Sequence, residues 1–267
     1  MGGGSDSVEV GGRTIAFERR GDGPPLVLVH GAVSDSRDWR QQLDGLSDEF
    51  TVVAWDAPGC GRSFDPPDDY GLAGYADGLA GFIQALGLER PHVLGLSFGS
   101  GLVLELFRRH PGLPRTLVLA SAYAGWLGSL GREVAEERRQ WGLTAAETPR
   151  DEFIRDFNET LFTESVPTEL VKEMSQIVAD YHPAGLRAMA NAFADADLRE
   201  MLPTIDIPTL LIYGDADQRS PVAIGEDLHA RIPGSTLVVI EGPGHMVNME
   251  TPERFNDEVR SFLRHAG

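Results

Sequence analysis

A serine lies between two glycines where a predicted strand meets a predicted helix, in the sequence Gly95-Leu96-Ser97-Phe98-Gly99. The glycines leave room for a tight strand-to-helix turn, which would push the serine hydroxyl out of the sheet, beside the free amides of the helix N-terminus. A serine that attacks a carbonyl needs this exposure, together with a base that takes its proton. The motif therefore predicts Ser97 as a nucleophile.

Histidine is the usual base for a serine nucleophile, and one of the seven histidines stands where such a base is needed. His245 follows the last predicted strand and precedes the last predicted helix, so a loop could hold it over the carboxyl edge of the sheet. The preceding strand ends at Gly214-Asp215-Ala216-Asp217, which brings two candidate acids to the same edge. Either carboxylate could orient the imidazole, giving the chain order Ser, Asp, His.

Short apolar runs alternate with segments of helical length along most of the chain. After an antiparallel start that turns at Gly11-Gly12, these runs predict buried strands at 26–29, 51–55, 92–96, 116–120, 209–213 and 236–240. The segments between them predict helices that include 72–86, 98–110, 222–231 and 252–265. Because the strands lack polar alternation, we expect an α/β fold with a doubly wound, mostly parallel sheet whose strands are covered on both faces.

One long segment interrupts this alternation, because residues 126–203 contain no convincing strand and about four helical patterns. Each pattern has a single apolar stripe, as expected of a helix that packs on one side only. We therefore predict an inserted helical cap, or lid, at 126–203 and a core formed by 1–125 and 204–267. The glycine-rich residues 1–5 are predicted to form a disordered leader of that core.

The charge balance restricts the partners of the protein. The chain has 41 acidic residues against 23 lysines and arginines, a formal net charge of −18. This field repels phosphate backbones and anionic lipids, so we expect neither nucleic acid nor a membrane as a partner. The sequence also lacks an apolar stretch of about 18 residues and the pattern of a signal peptide. We expect a cytoplasmic protein that acts on a small molecule.

Two rare residue types exclude further chemistries. Lys172, the only lysine, lies in a predicted surface helix without a nearby glycine, which argues against a Walker loop and against a Schiff base. Cys60, the only cysteine, rules out an intramolecular disulfide and fits a reducing compartment. No dinucleotide-binding glycine motif and no cluster with metal-ligand spacing occurs, so we expect no cofactor and no metal.

Five segments occur in an order and at a spacing that make the chain resemble a known superfamily. They are His30-Gly31-Ala32 after one strand, the turn at 56–63 after the next, the turn around Ser97, Gly214 to Asp217, and Gly244-His245. In this combination the chain resembles the α/β-hydrolase superfamily, in its cap-bearing branch of esterases, lactonases and C–C hydrolases. The resemblance covers nearly the whole chain and implies an eight-stranded sheet.

The resemblance also implies roles for individual residues. Similar proteins place the catalytic acid at the end of a Gly-x-x-Asp turn, which favours Asp217 and keeps Asp215 as the alternative. Their oxyanion hole uses the backbone amides of the residue after the nucleophile and of a residue just past the His-Gly pair, here Phe98 and Ala32. His30 is then expected to shape the oxyanion loop rather than to act as a base.

These assignments predict a serine hydrolase that cleaves a carboxylic ester or lactone of a small to medium-sized, apolar and uncharged molecule through an acyl-enzyme. Ser97 argues against the epoxide-opening and dehalogenating relatives, which carry aspartate at that position. Two other reactions of the same triad stay open, C–C hydrolysis of a diketone-type substrate and peracid formation, as does a non-catalytic receptor for a small ligand. The pocket is predicted to be lined by Trp126, Trp141, Phe153, Phe157, Phe162, Phe193 and Met246.

Overall fold

Eight strands form one sheet in the computed structural model, which describes residues 6–145 and 147–266. In chain order they are β1 (Asp6–Val10), β2 (Arg13–Arg20), β3 (Pro25–Val29), β4 (Thr51–Trp55), β5 (His92–Leu96), β6 (Thr116–Ala120), β7 (Thr209–Gly214) and β8 (Thr236–Ile240). Their spatial order is β1-β2-β4-β3-β5-β6-β7-β8, with β3 to β8 parallel and β2 antiparallel to both of its neighbours. The predicted mostly parallel, eight-stranded α/β fold is confirmed. The predicted leader at 1–5 lies outside the described residues.

Helices connect the strands. They are α1 (Arg40–Leu46), α2 (Gly71–Ala85), α3 (Phe98–Arg109), α4 (Trp126–Leu130), α5 (Arg132–Ala145), α6 (Arg150–Asn158), α7 (Thr168–Ala179), α8 (Pro183–Ala194), α9 (Val222–Arg231), α10 (Val247–Glu250) and α11 (Pro252–His265), with short 3-10 helices at Ser36–Trp39 and Leu202–Thr204. The bounds of α9 and α11 are those predicted, whereas α1 is absent from the predicted helices. Within the described part of the chain, no helix has the length and apolar character that crossing a bilayer requires.

Side chains of the central strands point alternately to the two faces of the sheet. On β3, Val27 and Val29 pack in the core cluster that contains the apolar faces of α2 and α3, whereas Leu26 and Leu28 pack in the cluster that contains those of α1 and α11. All four side chains are completely buried. Each face of the sheet therefore has its own layer of helices, which explains the unbroken apolar runs in the sequence.

The last strand departs from the prediction that the strands are covered on both faces. β8 pairs only with β7 and ends the sheet, so it has a neighbouring strand on one side only. Of its five residues only Ile240 is buried, and Val239 is 43% exposed. The β-branched run predicts a strand correctly, but it does not distinguish an edge position from a central one.

A helical insertion separates β6 from β7, as predicted, and its described residues form five α-helices, α4 to α8, instead of about four. The insertion packs tightly on the sheet layer through α8, where Met189 and Phe193 belong to the same buried cluster as α2 and α3. The α carbons of Gly59 and Gly185 also meet closely, since a Cβ on Gly59 would lie 2.4 Å from the Cα of Gly185. The division into a core of 1–125 and 204–267 and a cap of 126–203 stays a prediction.

Candidate active site

Ser97 occupies a sharp turn between β5 and α3. Its backbone has φ of 54° and ψ of −115°, a left-handed conformation that is uncommon and strained for a residue with a side chain. A Cβ on Gly95 would lie 2.4 Å from the carbonyl oxygen of Gly99, and a Cβ on Gly99 would lie 2.2 Å from that of Val29. Both flanking positions therefore require glycine, because α3 starts against the ends of β3 and β5.

Replacing Gly99 tests this packing. We expect Gly99→Ala to lower the free energy of unfolding by about 3 kcal/mol, because the added methyl group meets backbone that cannot move aside. Gly112→Ala is the matched control, since a Cβ there meets no atom within 4 Å and it should change stability by less than about 1 kcal/mol. Urea unfolding of both variants measures the difference. Equal destabilisation would contradict the tight turn.

The acid and the base form a direct pair. His245, after β8, places Nδ1 2.9 Å from Oδ2 and 3.1 Å from Oδ1 of Asp217, which follows β7. Oδ1 of Asp217 also accepts the backbone N–H groups of Arg219 at 2.8 Å and Ser220 at 2.9 Å. Burial alone would raise the pKa of Asp217, but His245 and the Ser220 amide lower it, so the carboxylate stays ionised.

The alternative acid lies elsewhere. Asp215 is exposed, and its Oδ1 accepts the backbone N–H of Gly242 at 2.7 Å, so this carboxylate closes a turn between the loops after β7 and β8. The structure thus pairs His245 with Asp217 and not with Asp215. Of the two aspartates in this Gly-x-x-Asp turn, only the last residue, Asp217, contacts His245.

The tautomer and charge of His245 suit a general base. Burial lowers the pKa of His245 below its usual 6.5, although the Asp217 carboxylate opposes this effect. The ring is therefore neutral at pH 7, with Nδ1–H donating to Asp217 and the lone pair on Nε2. The backbone holds the loop in place, because the His245 N–H donates to Leu161 O at 2.9 Å and Ser121 Oγ donates to His245 O at 3.0 Å.

Ser97 and His245 line one small cavity of about 30 Å³. No hydrogen bond joins Ser97 Oγ to His245 in this conformation of the described residues. A contact of this kind often becomes short only when substrate is bound. The structure brings all three predicted triad residues to the carboxyl edge of the sheet, with the acid–base pair already formed.

The residues predicted for the oxyanion hole flank the serine. Gly31 approaches the turn so closely that a Cβ on it would lie 3.6 Å from Cβ of Ser97, and Ala32 lines the cavity beside it. The backbone N–H groups of Ala32 and Phe98 donate to no other described residue. Two amide donors are thus available on the loop after β3 and at the first residue of α3, where negative charge would develop.

His30 shapes the oxyanion loop. The backbone N–H of Ala57 donates to His30 Nε2 at 3.0 Å, so Nδ1 carries the proton and donates to Gly31 O at 2.7 Å. Burial lowers the pKa of His30, which keeps this tautomer neutral. Cys60 lies in the neighbouring turn, where burial raises the pKa of its thiol well above the usual value and keeps it protonated.

Four of the seven side chains predicted for the pocket lie at the serine. Trp126, Phe157, Phe193 and Met246 line the cavity that contains Ser97. Trp141 lines an adjoining cavity of about 40 Å³, which shares several wall residues with the first one, among them Ala32 and Phe98. The two cavities together form a mostly apolar space under the helices of the insertion, and we call them the serine cavity and the cap cavity.

Two of the predicted lining residues, Phe153 and Phe162, line neither of these two cavities. Phe153 is 2% exposed and packs inside the cap, with its ring centroid 4.8 Å from that of Tyr181 and 5.6 Å from that of Phe157. Phe162 lines a separate hollow on another side of His245. Helical spacing identifies the buried face of a helix, but it does not say whether substrate or another helix covers that face.

Four polar residues of the serine cavity are absent from the predicted site: Ser34, Asp38, Arg138 and Arg219. The carboxyl oxygens of Asp38 and the hydroxyl of Ser34 are buried without a hydrogen-bond partner among the described residues. Burial raises the pKa of Asp38 to about 7. The sequence could have pointed to two of these residues by their position next to a motif, because Ser34 lies two residues after Ala32 and Arg219 lies two residues after Asp217.

In the described residues, no group of three or more His, Cys, Asp or Glu could hold a metal ion.

Comparison with protein families gives one match over most of the chain. Residues 24–252 match the family described as alpha/beta hydrolase fold. The matched segment begins before β3 and ends at the start of α11, so it includes the serine turn, the insertion and the acid–base pair.

Individual relatives are hydrolases of similar length. A pimeloyl-[acyl-carrier protein] methyl ester esterase of Neisseria meningitidis is 30% identical over 89% of this chain and 92% of its own. A thermophilic esterase from Thermogutta terrifontis, solved with malate bound, is 29% identical with a TM-score of 0.91, covering 98% of this chain and 99% of that one. An enol-lactonase from Burkholderia xenovorans is 25% identical with a TM-score of 0.88, covering 97% and 100%.

Proposed function

The chain belongs to the alpha/beta hydrolase fold family, and we propose that it is a serine hydrolase that cleaves a carboxylic ester or lactone. One observation carries this proposal. A neutral, buried His245 held 2.9 Å from the Asp217 carboxylate lines the same cavity as the serine of a strained strand-to-helix turn. This arrangement is the requirement for turning an unreactive hydroxyl into a nucleophile.

In the proposed reaction Ser97 Oγ attacks the carbonyl carbon while His245 Nε2 takes the hydroxyl proton. The carbonyl oxygen becomes an oxyanion, which the amides of Ala32 and Phe98 stabilise. His245 then protonates the leaving oxygen, the C–O bond breaks, and an acyl-enzyme forms. A water molecule, deprotonated by His245, attacks the acyl carbon; the bond to Ser97 Oγ then breaks, His245 returns the proton to Oγ, and the acid and the free serine are released. Asp217 stabilises the imidazolium in both halves of the reaction.

The lining of the cavities supports a substrate of small to medium size with an apolar segment. Trp126, Phe157 and Phe193 face it from the cap, and Met246 faces it from the core. The names of the relatives point in the same direction, since they include a methyl ester esterase and an enol-lactonase. The cytoplasmic location, and the lack of a cofactor or of nucleic-acid and membrane partners, remain predictions.

Covalent labelling tests the proposal directly. We expect a fluorophosphonate to label the native protein on Ser97 alone, as located by peptide mass spectrometry, and to leave denatured protein unlabelled. The labelling rate should fall as the pH drops below 6.5, because protonation of His245, whose pKa lies below that value, removes the base. Ligand binding without a label on Ser97 would instead identify a receptor. A label without turnover of any ester, but with cleavage of a diketone, would identify a C–C hydrolase.

A further inference from the structure

Two arginines in the serine cavity lack the carboxylate partner that the other partly buried arginines of the described residues have. Arg138 lies on α5 of the insertion, Arg219 follows Asp217 in the core, and both line the serine cavity and the cap cavity. Neither guanidinium has a carboxylate within 4.0 Å among the described residues, whereas Arg139, next along α5, is paired with Glu136 and Asp195. All 22 arginines of the chain lie in the described part, and Arg138 and Arg219 are the ones there that are partly buried and have no carboxylate partner.

Hydrogen bonds hold the two guanidinium groups without neutralising them. Arg138 donates from Nη1 to the hydroxyl of Tyr123 at 3.1 Å and from Nη2 to the carbonyl of Arg219 at 2.9 Å. Its carbon Cζ lies 5.3 Å from the ring centroid of Tyr123 and 5.7 Å from that of Trp126. Arg219 lies over Phe157, with Cζ 5.1 Å from its ring centroid. Aromatic faces thus orient both groups, and N–H donors are left over.

This arrangement is costly for a protein without a bound anion. Two like charges stand close together in partly buried positions, and burial followed by the nearby Arg138 charge lowers the pKa of Arg219. The chain has a net charge of −18, so carboxylates are abundant, yet among the described residues none lies within 4.0 Å of either guanidinium. Pairs of arginines with free, planar donor groups match the two oxygens of a carboxylate.

We propose that the substrate carries a carboxylate, which Arg138 and Arg219 bind in the cap cavity while its ester or lactone carbonyl lies at Ser97. The inference rests on the proposed hydrolase function, and it replaces the predicted uncharged substrate by an anionic one. The cap cavity reaches from the oxyanion residues Ala32 and Phe98 to both arginines. One molecule can therefore present its carbonyl and its carboxylate at the two ends of an apolar linker.

Asp38, the acidic residue that lines the serine cavity, does not pair with these arginines. Asp38 lines the serine cavity but not the cap cavity, whose described lining contains no acidic side chain. Asp38 is also not within salt-bridge distance of either guanidinium. Since burial raises the pKa of Asp38 to about 7, it carries less negative charge at neutral pH than an ordinary aspartate. The guanidinium groups of Arg138 and Arg219 are thus free to bind a carboxylate of the substrate.

Matched pairs of esters test the inference in the native enzyme. Monomethyl adipate and methyl hexanoate differ only by a carboxylate in place of a methyl group on the acyl side, and 5-acetoxypentanoate and pentyl acetate do so on the alcohol side. In at least one pair, kcat/KM from pH-stat titration should be about tenfold higher for the anionic ester, as hydrogen bonds to a charged group allow. A preference for the neutral ester in both pairs would overturn the inference.

Variants of the arginines separate charge recognition from damage to the fold. We expect Arg138→Gln and Arg219→Gln to lower kcat/KM for the preferred anionic ester by about tenfold and that for its neutral partner by less than about threefold. Arg138→Lys should recover part of the preference, because it keeps the charge. Arg139→Gln, the neighbour on α5 that is paired with Asp195, should leave the ratio unchanged. Equal losses on both esters would mean that the arginines only hold the cap.

A binding measurement keeps the inference testable if turnover fails. In Ser97→Ala, the anionic ester should raise the melting temperature more than the neutral one, and Arg138→Gln in that background should abolish the difference. A protein that shows this shift but no label on Ser97 and no hydrolysis would bind carboxylates without being a serine hydrolase. A labelled, active protein without any charge preference would be a hydrolase with another substrate class.

Discussion

Ser97→Ala is expected to reduce the turnover of p-nitrophenyl acetate and butyrate by about 10⁴-fold or more. The substitution removes the atom that attacks the carbonyl, while the pocket, the base and the oxyanion amides stay in place. Alanine differs from serine by one oxygen, so the strained turn between β5 and α3 should form unchanged. Residual activity would then come from the oxyanion hole and substrate binding alone.

The control for Ser97→Ala is a serine far from the site. Ser261 is exposed on α11, and Ser261→Ala should keep both turnover and stability. Urea unfolding of the two variants shows whether the protein remains folded. Undiminished turnover in folded Ser97→Ala would contradict the assignment of the nucleophile and, with it, the acyl-enzyme mechanism.

Asp217→Asn is expected to reduce kcat by about 10⁴-fold, the size of effect that the same change has in a serine protease. In the native protein the carboxylate of Asp217 accepts a hydrogen bond from the Nδ1–H group of His245 at 2.9 Å. An amide that turns its NH₂ group towards Nδ1 favours the other tautomer, with the proton on Nε2. The ring could then no longer take the proton of Ser97, although its position would hardly change.

Asp215→Asn is the matched control for this prediction. Its carboxylate is exposed and accepts only the N–H of Gly242 at 2.7 Å, so we expect kcat to change by about twofold at most. Steady-state kinetics of the two variants compares two aspartates that stand two residues apart in one loop. A large loss in Asp215→Asn with an active Asp217→Asn would reverse the assignment of the acid.

The strands of the sheet could be predicted well from the sequence, because the signal for each strand lies within its own few residues. An unbroken run such as Leu26 to Val29 predicts a strand, and the two alternating faces then require helices on both sides. The edge position of β8 is not local, because it depends on which strands lie next to one another. Val239 therefore looks like a core residue in the sequence and is exposed in the structure.

In the site, likewise, residues within a sequence motif could be predicted, whereas residues brought there only by tertiary packing could not. Ser97, Asp217 and His245 each follow a strand, and the ends of parallel strands meet at one edge, so their juxtaposition could be predicted. Arg138 reaches the cavity from a helix of the insertion, and no motif marks it. Phe153 and Phe157 lie on the same face of α6, yet only Phe157 lines the serine cavity, because Tyr181 packs against Phe153.

The small size of the serine cavity has a kinetic consequence. A volume of about 30 Å³ holds about one or two water molecules, less than any of the esters named above as test substrates. We therefore expect substrate to enter when the insertion, whose α8 contacts the sheet layer through Phe193, moves aside. Capture would then be limited by how often the insertion opens rather than by diffusion, and product would leave through the same motion. For fast chemistry at Ser97, the turnover rate would report the opening of the cap.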